Sequence, residues 1–217
     1  MRLGIVACET FKRELDLLTD GDPDIVHKEY LEFGLHEYPQ ELKRAVIDKV
    51  NGLEGKVDAV LLGYGTCQSL KDVVAEINVP TVQLKGDDCV GVLLTQAEYD
   101  VERKKCAGTF FATPYFADMG TEWFARDMRK KMPNFEEMGI TVEWFLEKLF
   151  EGYSRCLFVD TGVGEREHFE ALAQDFARKL KLRFESRSGT LDLLRDALAQ
   201  AKGVGRSALA EGPSELA

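Results

Sequence analysis

Short apolar runs alternate with stretches whose apolar residues recur every three or four positions, and this alternation sets the pattern of the chain. Leu3–Ala7 is the first run, and Phe11, Leu15 and Leu18 then share one helical face. Asp24–Phe33 reads as a less regular strand leading into Gly34-Leu35-His36. Pro39 opens a helix carrying Leu42, Val46 and Val50, because the N–H that proline lacks has no partner in a first turn anyway. Val57–Gly63 is nearly all apolar, as expected of a central strand covered on both faces. It passes through Tyr64-Gly65-Thr66-Cys67 into a predicted helix over Ser69–Ile77. Thr81–Leu84 is a fourth strand, and a helix is predicted from Val90 to about Lys105.

The second half is less regular at first. Thr109–Ala112 reads as a strand stopped by Pro114, and two helical stretches between 120 and 151 carry Trp123, Phe124, Trp144, Phe145 and Phe150. A clear unit follows: strand Cys156–Asp160, turn Thr161–Gly164, helix Glu167–Lys181, strand Leu182–Glu185 and helix Leu191–Ala201. The βαβ rhythm predicts a doubly wound, Rossmann-like α/β protein with parallel strands. The expected divisions are a first α/β block (1–112), an aromatic helical connector (113–151), a second βαβ block (152–201) and a disordered tail (202–217). Two lobes with a cleft and one sheet completed by both blocks both satisfy this pattern.

With 217 residues, 45% hydrophobic and 30% charged, the chain has enough apolar material for a substantial core. A formal charge of −10 argues against nucleic acid or an anionic membrane as partner. No apolar stretch approaches the roughly 18 residues that span a bilayer. MRLGIVACETFKREL enters a strand directly, without the three-part pattern of a secretory leader, so a cytoplasmic location is expected.

Five cysteines, at 8, 67, 89, 106 and 156, are an odd number with no CxxC, HxxxH or HExxH spacing. This favours free thiols, ligands or catalysis over a disulfide framework. Cys8, His36, Cys67 and Cys89 each follow a predicted strand. The carboxyl ends of parallel strands line one edge, where ligands bind, so four residues distant in sequence can share a pocket. Together they make a Cys₃His set suited to zinc, while the three cysteines alone suit an iron–sulfur cluster with an open iron. Gly63, Tyr64, Gly65 and Thr66 form a loop able to approach a cofactor closely, and a thiol following it at a helix start ionises more readily. Asp88 beside Cys89 suits a helix cap or a partner for a ligand group. Gly162, in Asp160-Thr161-Gly162-Val163-Gly164, marks a turn suited to anions or a cofactor. Each position also has a plain structural reading: a tight turn, a buried thiol, a cap. Neither GxGxxG nor a Walker A sequence occurs.

The strings IVACETFKREL, LEFGLHEYP, LLGYGTC, DDCVGVLL, GTFFATP and FVDTGVG, in this order, resemble a family defined as a domain of unknown function, number sixteen thirty-eight. The resemblance runs from about Gly4 to Leu194 and marks Cys8, His36, Cys67 and Cys89 again. The family's His-Asp-Cys is Asp87-Asp88-Cys89 here, and its Pro-Gly-Thr is Ala107-Gly108-Thr109. Members occur in anaerobes and methanogens, often near genes for corrinoid-dependent methyl transfer. The resemblance implies a supporting role in one-carbon or corrinoid metabolism, with a corrinoid as a further cofactor and a small molecule or corrinoid protein as partner.

The leading expectation is therefore a metal- or cluster-binding α/β protein. Two rivals stand beside it: a metal-free thiol enzyme of racemase-like type using a cysteine pair, and a non-catalytic small-molecule binding module. Homo-oligomer formation and the question of turnover stay open.

Overall fold

The computed structural model describes residues 1–65, 70 and 72–211 of the chain. It is a Rossmann-like α/β protein with two sheets, each wholly parallel among the described residues. The first contains β1 (Leu3–Cys8), β2 (Ile25–Leu31), β3 (Ala59–Gly63) and β4 (Thr81–Gln83), in the order β2-β1-β3-β4. The second contains β5 (Thr109–Ala112), β6 (Arg155–Asp160) and β7 (Arg183–Ser188), in the order β5-β6-β7. The helices are α1 (Lys12–Leu18), α2 (Pro39–Asn51), α3 (Cys89–Leu94), α4 (Gln96–Lys105), α5 (Pro114–Lys131), α6 (Val142–Leu149), α7 (Arg166–Lys179) and α8 (Asp192–Glu211).

The chain divides into two compact units, one of Met1–Gln96 with Thr190–Ala217, the other of Ala97–Gly189. In the first, β1 and β3 are buried along their whole length, which is why their sequences are continuous apolar runs. They lie so close that a Cβ on Gly63 would stand 2.3 Å from the Ala7 Cβ, so glycine is required there by sheet packing. Leu42, Val46 and Val50 of α2 lie in the core, as their spacing predicts. Leu191, Leu194, Ala197, Leu198 and Ala201 belong to the same core.

The second unit is built round phenylalanines. Phe110 stacks on Phe176 with ring centroids 4.4 Å apart and meets Phe150 edge-on at 5.7 Å. Phe124 completes the group against Phe150 at 5.2 Å. Burying each ring contributes about 1.5–3 kcal/mol, with a further increment for edge-to-face geometry. Phe150 of the aromatic segment is thus core material and Phe124 packs against that core, with Trp144 left exposed on α6.

The structure departs from the sequence reading in four places. Thr109–Ala112 pairs with β6 and belongs to the second sheet, not to a first block ending at 112. The expected disordered tail is helical as far as Glu211: α8 continues because Gly205 lets it pack closely, a Cβ there standing 2.6 Å from Met1 Cε and 3.3 Å from Ala59 Cβ. The helix expected over Val90–Lys105 is broken at Thr95 into α3 and α4. The described part of Ser69–Ile77 is 3₁₀ at Leu70 and over Val73–Glu76, the latter preceded by Asp72 in the left-handed region, and holds no α-helix.

Candidate functional site

The register of the first sheet brings its strand ends level. Ala7 pairs with Gly63, Cys8 with Leu31, and Leu62 with Gln83. Cys8 is therefore the last residue of β1, one step along from the level at which the chain leaves β3. Beyond β3, Tyr64 is buried and Gly65 is pressed against the loop that follows β4. A Cβ on Gly65 would fall 2.3 Å from the Gly86 carbonyl oxygen, and Gln83 Nε2 donates to the Gly65 carbonyl at 3.1 Å. The loops after β3 and β4 are thereby fixed to each other backbone to backbone. Thr66 and Cys67, the next residues, lie outside the described residues.

Cys89 is the first residue of α3. Asp88 caps that helix, its Oδ1 accepting the Gly91 N–H at 2.8 Å, while Asp87 is exposed. Burial pushes the Cys89 thiol up, and negative charge on Cys8 or on Asp88 pushes it further. Burial likewise raises Cys8, which is 2% exposed, more than contacts with Thr10 lower it. Both are thus protonated at neutral pH unless something stabilises the thiolates.

His36 sits in the 3₁₀ turn Phe33–Glu37 that follows β2. The turn is tied to the end of β1 by the Phe33 N–H, which donates to Glu9 Oε1 at 2.7 Å. The exposed His36 lies with its ring centroid 5.6 Å from that of Phe33 and 5.8 Å from that of Tyr64. Protein packed about the imidazole disfavours its charged form and lowers its pKa. Among the described residues, no three His, Cys, Asp or Glu side chains are placed to hold one metal ion together. Cys8 and Cys89 are a pair of soft donors, and His36 neighbours Tyr64 without forming a trio with them.

In the second unit, Asp160 Oδ1 accepts the Gly162 N–H at 2.9 Å, closing the turn after β6. Gly162 and Gly164 take φ of 73° and 70°, values at which glycine has no Cβ penalty. Gly162 therefore has a structural reason of its own. Cys156 is fully buried in β6, its thiol pushed up to about 12, and is inert. Cys106 stands 3.3 Å from Ser154 Oγ, and hydrogen bonds from Ser154 and Thr109 lower its pKa.

The strand containing Cys156 also hides a residue that periodicity did not mark. Arg155 is 2% exposed, bonding Glu102 Oε2 at 2.8 Å, Glu185 Oε2 at 3.1 Å and Thr109 Oγ1 at 2.9 Å. An arginine at the start of an apolar strand reads as its solvated end, and only the fold shows it enclosed. Its two carboxylate partners, Glu102 and Glu185, line an open depression of about 600 Å³ together with Glu98, Lys105 and Arg187. Arg187 donates to Glu98 at 2.7 Å and Glu102 at 2.9 Å, so the acidic groups there have basic partners.

A family profile described as a protein of unknown function (DUF1638) matches residues 30–198. The chain belongs to this family. The match covers most of both units, including His36, Cys67 and Cys89, and begins beyond Cys8. No curated protein and no solved structure matches the chain. Among the described residues, this DUF1638 protein has no helix long and apolar enough to cross a membrane.

Proposed function

We propose that this DUF1638 protein binds a soft metal centre, a zinc ion or an iron–sulfur cluster, at the carboxyl edge of its first sheet. Cys8 and Cys89 supply thiolates, Cys67 is the third ligand by its place in the sequence, and His36 acts as fourth ligand or as a neighbour of the site. The observation that carries this reading is the convergence of strand ends: Cys8 closes β1, Cys89 opens α3, and the Gly65–Gly86 contact joins the loops leading to Cys67 and Cys89. Such an edge is the binding edge of parallel α/β sheets. A cation would stabilise the thiolates that burial otherwise disfavours, and thiolate donors select zinc or iron–sulfur centres. The centre would serve one-carbon metabolism, supporting a corrinoid-dependent methyl-transfer system as the family resemblance implies. A small molecule or a corrinoid protein is then the partner to test.

The test is anaerobic purification, followed by metal and sulfide analysis and an absorption spectrum, for the natural protein and for C8S, C67S, C89S and H36A. About one zinc per chain, or iron with sulfide and a broad visible band, lost in each cysteine variant, is the expected result. No metal after reconstitution with zinc or with iron and sulfide overturns the proposal. The cysteine pair would then be examined as the machinery of a metal-free, racemase-like enzyme, by alkylation and solvent-deuterium exchange.

A further inference from the structure

Among the described residues, β2 and β4 edge the first sheet, and β5 and β7 edge the second. An open strand edge invites pairing with another chain, and proteins blunt such edges by shortness, irregular register, proline or charge. β4 has three residues and β5 four, and the register of β2 against β1 shifts between Leu3 and Gly4. β7 has six residues, no proline and an unbroken register against β6. The Arg183 N–H donates to the Ser154 carbonyl at 3.0 Å and the Gly189 N–H to the Asp160 carbonyl at 2.7 Å, so the odd-numbered positions of β7 bond β6. Successive peptide groups alternate sides, which turns the N–H and C=O groups of Phe184, Ser186 and Ser188 to the open edge. The open depression runs there. Glu185, Ser186, Arg187 and Ser188 line it in succession, and four consecutive residues belong to both faces of a strand, so what they share is its edge.

We infer that two copies of this chain pair their β7 strands antiparallel about a two-fold axis at Ser186, joining their second-unit sheets into one. Charge selects both the occupant and the register. With the axis at Ser186, each outward N–H finds an outward carbonyl: Ser186 meets Ser186 of the second copy, and Phe184 meets Ser188. Glu185 then lies directly opposite Arg187 of the second copy, twice over by symmetry. Opposite charges so placed favour a strand pair, and like charges oppose it. Moving the axis one position, to Glu185 or to Arg187, sets that residue against its own copy. The Glu185 and Arg187 side chains are 39% and 26% exposed, so each has a face left for a second partner beside those of its own chain. The alternating charges that blunt this edge towards other strands thus fit a second β7. The interface uses no residue of the proposed metal centre.

Sedimentation equilibrium of the full-length protein over a range of micromolar concentrations tests the pairing. The natural chain is expected to approach twice the mass of one chain. S186P removes the central outward N–H, a change that edge strands tolerate, and should weaken association by at least about tenfold. Circular dichroism checks that S186P folds. Two further variants fix the register whether or not it does. Directly opposed Cα atoms lie about 5.5 Å apart, so S186C should form a disulfide with its own copy under mild oxidation, located by mass spectrometry of the digested protein. In S188C the two positions would be four residues out of register, roughly 14 Å along the strand, and should not cross-link. A natural chain that stays monomeric overturns the inference. So does a dimer that neither S186P weakens nor S186C cross-links, or one that cross-links equally through S188C.

Discussion

Gly65 shows how much one missing carbon can decide. The Gly86 carbonyl that a Cβ would strike is backbone, and backbone cannot rotate aside as a long side chain does. G65A must separate the loops after β3 and β4, and overpacking of this kind costs about 1–3 kcal/mol. The thermal midpoint should fall by several degrees, and metal content should fall with it if the proposed site is correct. An unchanged midpoint would mean that the two loops are not in contact. The glycines of Gly63-Tyr64-Gly65 were legible as a close approach, but the sequence left open what they approach. At Gly63 it is Ala7, and at Gly65 it is Gly86. The position of Cys8 at the end of β1 was equally legible, because a strand buried on both faces announces where it stops. Arg155 and Glu102 were not, since two charged residues 53 positions apart show no sign in sequence that they meet.

At the scale of elements, α8 is the sharpest difference between sequence and structure. Lys202-Gly203-Val204-Gly205-Arg206 looks like a frayed end, because glycine lowers helix propensity by about 1 kcal/mol relative to alanine. Tertiary packing overrides that cost. Leu194, Leu198 and Ala201 lie in the first core, Gly205 admits Met1 and Ala59, and the Lys202 amine pairs with Asp22 and Asp24. β5 was read as a strand but placed in the wrong block for a related reason: strand pairing is set by register across the fold, and a four-residue strand carries no record of its neighbour. A chain ending after Gly189 should therefore leave the first sheet without part of its core. We expect such a truncation to aggregate or to lose cooperative unfolding. A chain ending after Glu211, which keeps all of α8, should unfold cooperatively, and its thermal midpoint is the reference for the shorter one. Equal midpoints for the two truncations would contradict the place given to α8.

The whole molecule is one continuous unit inserted into a discontinuous one, and this arrangement predicts where acid acts. Ala97–Gly189 has its own sheet and phenylalanine core, so this segment expressed alone should unfold cooperatively. Within it burial opposes ionisation of Glu102, but hydrogen bonds and charge from Lys105 and Arg155 outweigh burial and hold the carboxyl below its ordinary pKa. Glu185 is likewise lowered, burial being outweighed by Arg155 and Arg183, while Arg187 and Glu98 complete the cluster. A carboxyl whose folded pKa is depressed stabilises the fold above its unfolded pKa, about 4.3 for glutamate. That stabilisation is lost as pH falls through the folded value. Stability of the isolated segment should thus decline below about pH 4, with a shallower slope in E102Q. Near pH 7, E102A should cost about 3–5 kcal/mol, because Arg155 would remain buried without its nearest carboxylate. E102L with R155M should recover much of this loss, since well-packed apolar groups often replace a buried ion pair without penalty. Chemical unfolding of the single and double variants measures both quantities. An acid profile identical in the natural segment and E102Q would show that the cluster does not govern acid stability.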